Sequence, residues 1–211
     1  NSVTFRHDVL STFKINTKYM KRLLKHEHCQ SLHTTMTDYF NDKLTDMATI
    51  ASTEEGEAFE MNGMRCVFKV TSTLSNDQLG VYEITLSPKA IGAMLHYHRY
   101  MDETFIVQKG NLTIQLAGRE EQASTGTVVY VPRFTPHGFR NDTSQEVKVW
   151  LIFNPSQRRE GFFKGLYQTL TEQPIDPGKY LKLYNKYDSF PVDTSEMLPV
   201  RDSVVKNELT H

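Results

Sequence analysis

Two histidines separated by a single residue, His96 and His98, have the clearest capacity for metal chemistry in this sequence. In a β-strand the side chains of residues i and i+2 point to the same face, so the two imidazoles would stand about 6–7 Å apart at the backbone. Neutral imidazole nitrogens bind Zn, Fe, Ni, Cu and Mn ions. A strand that carries His-x-His therefore predicts half of a site for a divalent transition metal.

Two further residues can complete this half-site. Glu103 follows His98 after four residues, and its carboxylate returns to the imidazoles if the chain turns over residues 99–102. His137 lies in a later stretch, Gly126 to Asn141. Three imidazoles and one carboxylate leave one or two positions open on a divalent ion, which is typical of a working rather than a structural site. The candidate ligands are therefore His96, His98, Glu103 and His137.

A second His-x-His pair, His26 and His28, lies in a segment with helical periodicity. On a helix, residues i and i+2 point in well-separated directions and cannot share a metal ion without unwinding. We therefore predict no metal site at this pair.

The first fifty residues repeat apolar side chains at three- and four-residue spacing, which predicts an amphipathic helix rich in lysine. A solvated helix packed against the remainder of the domain or a second subunit is the favoured interpretation; a membrane-surface or partner helix is the alternative. The apolar positions are Val9, Leu10, Phe13, Tyr19, Met20, Leu23 and Leu24.

From residue 57 the apolar period changes to two, which predicts strands, and Asn62-Gly63 predicts a type I′ hairpin turn. Many short strands at close intervals indicate an antiparallel sandwich or barrel. The predicted strands are 58–61, 64–70, 79–86, 94–98, 103–108, 112–116, 127–131, 138–141 and 146–153. After Pro155 the helical period returns over 160–170 and 179–187, with a break at Pro174 and Pro177, and these helices are expected to close the outer face or one barrel mouth.

Strand alternation predicts which side chains share the face of the candidate ligands. Met94 would face the same way as His96, Phe105 and Val107 the same way as Glu103, and Phe139 the same way as His137. Such a lining suits a pocket for a small, partly aromatic molecule, although the same side chains would also suit a barrel core. The candidate pocket residues are Met94, Phe105 and Phe139.

The composition excludes several classes of protein. The 211 residues carry a net charge of −1, which argues against a nucleic-acid partner. No apolar run reaches the length of about 18 residues that a membrane span needs. The two cysteines, Cys29 and Cys66, lie in segments of different character, so we expect no disulfide framework. We therefore expect a soluble, cytoplasmic protein.

The stretches from Gly92 to Gly110 and from Gly126 to Asn141 resemble the two signature motifs of the cupin superfamily. With Asn154-Pro155 and the run from Glu160 to Phe163, the chain is similar to quercetin 2,3-dioxygenase-like single-domain cupins over roughly residues 55–190. The resemblance implies an all-β double-stranded β-helix, or jelly-roll cupin barrel, with helical extensions at both ends. The implied domains are an N-terminal extension over 1–54, the barrel over 55–155, and C-terminal helices and tail over 156–211.

One position departs from the family pattern. The second motif usually has Pro-x-Gly, and Phe134 stands where the glycine would be. A turn that needs a positive φ is unfavourable for phenylalanine. We therefore expect the loop before His137 to take another shape.

The resemblance also implies a function. The four candidate ligands would hold one divalent transition metal per chain, namely Fe, Mn, Ni, Cu, Co or Zn. Glu103 would be both a ligand and the base that removes a substrate hydroxyl proton, and the reaction would be dioxygenase-type cleavage of a small enol or flavonol-like compound.

Two alternatives stay open, together with the question of partners. One alternative is a non-redox isomerase, epimerase or lyase that acts on a sugar or keto acid, for which an arginine beside the metal would be evidence. Arg133 and Arg140 are the visible candidates, and a solvated or salt-bridged role is expected for both. The other alternative is a non-catalytic metal-binding or ligand-binding module.

The expected partners are a small molecule and a second copy of the chain in a homodimer.

Overall fold

The computed structural model describes residues 48–53 and 55–199. The fold belongs to the unit that begins at Ile50. The predicted N-terminal helix, the His26 and His28 pair and Cys29 lie outside the described residues. So does the end of the C-terminal tail.

Eleven strands and two helices make up the described part. The strands are β1 Ala58–Met61, β2 Met64–Val70, β3 Gly80–Leu86, β4 Ile91–Tyr97, β5 Asp102–Lys109, β6 Asn111–Leu116, β7 Arg119–Ser124, β8 Val128–Val131, β9 His137–Arg140, β10 Val147–Asn154 and β11 Phe190–Pro191. The helices are α1 Arg159–Thr171 and α2 Pro177–Lys186.

The strands form two antiparallel sheets that enclose the core. The larger sheet has the order β1-β2-β3-β10-β5-β8, and the smaller sheet has the order β11-β4-β9-β6-β7. Side chains from both sheets, such as Phe105, Ile114 and Leu151, are no more than 1% exposed. The predicted all-β jelly-roll architecture is therefore confirmed.

The first hairpin follows directly from two residues. Asn62 and Gly63 join β1 to β2 and have φ angles of 49° and 77°. A type I′ turn needs positive φ at both central residues, which asparagine and glycine tolerate best. This prediction is confirmed.

Two strands escaped the sequence analysis. In β7 every residue is exposed except Ala123, so the sequence Arg-Glu-Glu-Gln-Ala-Ser shows no apolar alternation. It is a strand because it pairs along its whole length with β6 at the edge of the smaller sheet. β11 has two residues and forms only because the chain returns from α2 to pair with Tyr97 and His96 of β4.

The two helices follow the last long strand, as predicted. The buried face of α1 carries Phe162, Phe163 and Leu166. The proline at 177 begins α2 rather than breaking the chain, because the Asp176 carboxylate caps the helix by accepting hydrogen bonds from the amides of Gly178 and Lys179. Neither helix of this described region is long and apolar enough to cross a membrane.

Candidate metal centre

His96 and His137 stand on neighbouring strands of the smaller sheet. They lie opposite each other in the antiparallel pair formed by β4 and β9, and their ring centroids are 4.6 Å apart. The residue after His137 is Gly138, and a side chain does not fit at this position because a Cβ would lie only 2.8 Å from the Ala93 carbonyl oxygen. The close approach of the two strands thus sets the separation of these imidazoles.

His98 and Glu103 complete the group. His98 lies just beyond the end of β4, and Glu103 stands on β5 in the larger sheet. The Glu103 Oε2 atom lies 3.0 Å from His98 Nε2 and 2.7 Å from His137 Nε2. Ligand atoms of all four predicted residues lie within 4.8 Å of one another, and each residue is 3% exposed or less.

The outer nitrogen of each imidazole is held by a backbone carbonyl. The Nδ1 atoms of His96, His98 and His137 lie 2.9, 2.5 and 2.9 Å from the carbonyl oxygens of Met94, Asp188 and Thr135, respectively. A carbonyl only accepts hydrogen bonds, so each Nδ1 carries the proton in that contact. This leaves the Nε2 lone pairs free to bind a metal, the arrangement typical of metal-binding histidines.

A bound metal ion satisfies this arrangement better than protonation of the imidazoles does. His98 and His137 would have to donate from both ring nitrogens, and so be cationic, to satisfy both the carbonyls and Glu103 by hydrogen bonding. Burial lowers the pKa of His98, and burial together with the nearby His137 and His98 lowers the pKa of His96 well below its ordinary value. A divalent ion bound to the Nε2 lone pairs and the carboxylate removes this conflict.

Glu103 is in the protonation state that a ligand needs. Burial alone would raise its pKa, but hydrogen bonds and charge interactions with His137 and His98 outweigh burial and hold that pKa well below its usual range. Two ligands with metal bonds of about 2.1 Å lie at most about 4.2 Å apart, which is slightly less than the 4.8 Å within which the four ligand atoms lie. The residues therefore fit one transition-metal ion with little adjustment.

The loop before His137 corrects one expectation. Phe134 keeps the left-handed conformation that a glycine would favour, with φ of 64°. Its amide donates a hydrogen bond of 2.7 Å to the carbonyl of His98, and its side chain is 64% exposed. The loop keeps this shape because the hydrogen bond ties it to the end of β4, while the ring extends into solvent without a clash.

The two arginines near the second motif stay outside the cluster. Arg133 pairs with Asp102, and the hydrogen bonds from Arg133 lower the pKa of that carboxyl. Arg140 pairs with Glu120 and Asp142. Their expected salt-bridged roles are what the structure shows.

The three candidate pocket residues have different positions. A register shift in β4 between Ala93 and His96 changes the alternation, so Ala93 shares a cavity with His96 while Met94 lines a separate outer cleft. Phe139 lines the cavity with His96. Phe105 is fully buried behind the cluster, with its ring edge-on to His137 at 6.2 Å between centroids.

The cavity at the cluster is small and mostly apolar. Its volume is about 20 Å³, enough for about one water molecule. Helices α1 and α2 close it with Phe162, Phe163, Leu166 and Tyr184, and α1 also supplies a charged residue, Arg159.

Two residues of the site escaped the sequence analysis. Arg159 resembles any solvated charge at a helix start, and no local pattern marks it as buried. Asp188 supplies the carbonyl that holds His98, and its carboxylate accepts hydrogen bonds from the amides of Arg99 and Tyr100, which form the turn before Glu103. Its φ of 58° is one that aspartate tolerates better than most residues.

Comparison with known proteins agrees with this architecture. Residues 82–153 match the model of the Cupin_2 family, a cupin domain. The quercetin 2,3-dioxygenase of Bacillus subtilis (strain 168) is 31% identical over 83 residues, which cover 39% of this chain and 23% of that enzyme. An uncharacterized protein of Aquifex aeolicus (strain VF5) is 28% identical over 114 residues, which cover 54% of this chain and 85% of that protein.

Among solved structures, a sugar phosphate isomerase of the cupin superfamily from Silicibacter pomeroyi DSS-3 aligns with a TM-score of 0.46 and 20% identity, over 50% of this chain and 75% of that chain. The family match identifies a cupin domain within residues 82–153, and the partial similarity to the quercetin 2,3-dioxygenase agrees with it. The matched segment spans about a quarter of that enzyme, 23% of its length.

Metal content provides the first test. The purified chain is expected to bind about one divalent transition metal, measured by elemental analysis after reconstitution and removal of excess ion. The double variant His96→Ala, His98→Ala is expected to lose it, because two of four ligands are gone.

The chain contains its own control for this experiment. The variant His26→Ala, His28→Ala removes a pair with the same spacing and should keep the metal. Loss of the metal in this control, or its retention in the first variant, would contradict the assignment.

Asp188 is expected to act as a positioning residue. Asp188→Ala removes the carboxylate that fixes the turn before Glu103 and disfavours the left-handed conformation that aims the carbonyl at His98. We expect metal affinity, measured by competition with a chelator, to fall about tenfold, and the free energy of unfolding to fall by about 1–3 kcal/mol.

Asp193→Ala is the matched control, because Asp193 is exposed and, among the described residues, hydrogen-bonds only to Ser195. It should leave metal affinity unchanged. If Asp188→Ala lowered stability while metal affinity stayed at the wild-type value, Asp188 would have no part in orienting His98.

Proposed function

We propose that this chain is a metal-dependent oxidoreductase of the dioxygenase type that acts on a small enol or related aromatic compound. The observation that carries the proposal is the convergence of three imidazole Nε2 atoms and one carboxylate in a buried group next to a cavity. Three histidines and a glutamate fit one transition metal and leave coordination positions for a substrate.

When bound, a redox-active transition metal would hold an enolate oxygen and make O₂ chemistry accessible. The chain's own residues would supply the rest. Glu103 is ionised and buried, so it would serve as a ligand and accept the proton of the substrate hydroxyl. Phe139, Phe162 and Tyr184 would exclude water from the reacting group.

The similarity to the quercetin 2,3-dioxygenase of Bacillus subtilis supports this class of reaction. The cavity adds a restriction on size. A volume of about 20 Å³ has no room for a three-ring flavonol unless α1 and α2 move. A smaller enol therefore fits the proposal better than quercetin itself.

A second candidate function is a non-redox reaction on a keto acid, for which a metal held by the same four residues would supply Lewis-acid polarisation of a carbonyl oxygen. One observation favours it: the cationic side chain of Arg159 lines the same cavity as His96 and Glu103. The same metal ligands would serve both reactions, and the identity of the native metal would separate them.

A homodimer and a cytoplasmic location also remain proposals. The support for a dimer is strand β8, which within the described part of the chain forms an edge of the larger sheet and carries Val128 and Tyr130 with side chains 60% and 61% exposed. Exposed strand edges with apolar side chains are frequently covered by a second copy of the chain.

Oxygen uptake tests the proposed reaction. The chain reconstituted separately with Mn, Fe, Co, Ni and Cu is expected to consume O₂ with at least one member of a panel of small enols, β-diketones and catechols. Glu103→Gln should lower turnover about 100-fold or more, because the amide cannot accept the substrate proton.

Glu121→Gln on the exposed strand β7 is the matched control and should leave turnover unchanged. Absence of O₂ uptake with every metal and substrate would contradict the dioxygenase proposal. Activity that survives in Glu103→Gln would contradict the role of Glu103.

A further inference from the structure

Arg159 is a buried cation at the edge of the candidate metal centre. It is the first residue of α1 and only 3% exposed. Its guanidinium carbon lies 3.8 Å from the ring centroid of Phe162 and 4.7 Å from that of Phe153. The side chain is therefore fixed between two aromatic rings.

The hydrogen bonds of Arg159 are incomplete. Nη1 donates to the carbonyl of Tyr187 at 2.8 Å and to the hydroxyl of Ser189 at 2.9 Å. Nε is buried and has no hydrogen-bond partner within the described ranges. An arginine has five N–H donors, and a buried donor without a partner is unfavourable. The missing acceptor is the first sign of a ligand.

The guanidinium of Arg159 also has no direct ion pair, although the carboxylates of Glu103 and Asp188 lie near enough to favour its charged form. Among residues 48–53 and 55–199, no carboxylate lies within ion-pair distance of its guanidinium. The neighbouring Glu160 is bonded to Ser72 and Tyr82, and Glu103 is bonded to two histidines. A buried charge without a direct ion pair is unfavourable.

The cavity relates this cation to the cluster of ligands. Arg159, His96 and Glu103 line the same space, whose other walls are mainly apolar and aromatic. A ligand in this space would contact both the guanidinium and the open side of the metal ligands. Its anionic group would supply the acceptor and the direct ion pair that Arg159 lacks.

We propose that Arg159 binds the carboxylate of the substrate, so that the metal centre acts on a small organic acid with an oxo, hydroxyl or enol oxygen for the metal. The inference rests on the proposed metal-dependent function of the same cavity and specifies its substrate class. The planar guanidinium pairs well with a carboxylate. The small cavity favours acids of about two to four carbons, which require less opening than a flavonol.

Calorimetric titration with two probes of nearly the same shape tests this inference. Pyruvate carries a carboxylate and pyruvamide carries a neutral amide in its place. Both are titrated into the whole chain, as purified and after loading with redox-inactive Zn²⁺, so that binding is measured without turnover. We expect pyruvate to bind about tenfold tighter or more, as for a hydrogen bond to a charged group.

Three variants test whether the preference for pyruvate is caused by Arg159 or by the metal. Arg159→Met should abolish the preference for pyruvate, while Arg158→Met, which removes a neighbouring exposed charge, should keep it. If Arg159→Met does not fold, as judged by its thermal transition, Arg159→Lys takes its place. That variant should bind pyruvate more weakly and pyruvamide as before, because lysine lacks the planar pair of donors.

Equal binding of pyruvate and pyruvamide by the wild-type chain would overturn the inference regardless of the variants. A preference that survives in Arg159→Met, or an unchanged pyruvate affinity in Arg159→Lys, would overturn it by assigning the discrimination to the metal alone. Failure of O₂ uptake with an intact charge preference would count against the dioxygenase proposal only. Failure of the charge preference with intact O₂ uptake would count against the role of Arg159 only.

Discussion

Three imidazole nitrogens and one carboxylate oxygen occupy a small buried volume where the two sheets meet, and the remainder of the site depends on holding them there. His96 and His137 come from paired strands of one sheet, whereas Glu103 comes from the other sheet. Their outer nitrogens are fixed by backbone carbonyls, so the inner ones cannot turn away. Without a central cation, this arrangement forces charge onto buried imidazoles, which is unfavourable.

The segment after the barrel is part of the site and more than a cover for it. Asp188 lies beyond α2, yet its carbonyl holds His98 and its carboxylate holds the turn that leads to Glu103. Arg159 at the start of α1 adds a positive charge to a cavity whose other walls, apart from His96 and Glu103, are apolar and aromatic. The barrel strands supply three of the four candidate ligands, while the helical segment limits the size of the cavity beside them and contributes its positive charge.

Local sequence patterns were sufficient for the features that depend on neighbouring residues. The Asn62-Gly63 turn, the burial of Phe105 and Val107 with Glu103, and the four candidate ligands followed from spacing and residue type, with the family resemblance as support. The position of Met94 could not be predicted from strand alternation, because a register shift in β4 reverses the alternation and no residue type signals that shift. Strand β7 was not predicted because its polar side chains show no apolar alternation. It is a strand because it pairs with β6.

Long-range contacts account for the remaining omissions. Neither Arg159 nor Asp188 has a local feature that separates it from ordinary surface charges. Each gains its role only when the C-terminal helices fold back over the cluster, so residues distant in sequence meet His98 and the cavity. Phe134 shows the reverse case, in which a rule about glycine was too strict, because a hydrogen bond to the His98 carbonyl keeps phenylalanine in the left-handed region.

A crystal structure with anomalous diffraction data at the absorption edge of the bound metal would test the central claim most directly. The account predicts one anomalous peak per chain, at about 2.0–2.2 Å from the Nε2 atoms of the three histidines and from a Glu103 carboxylate oxygen. A peak at any other place in the chain, or no peak in protein reconstituted with a transition metal, would contradict it.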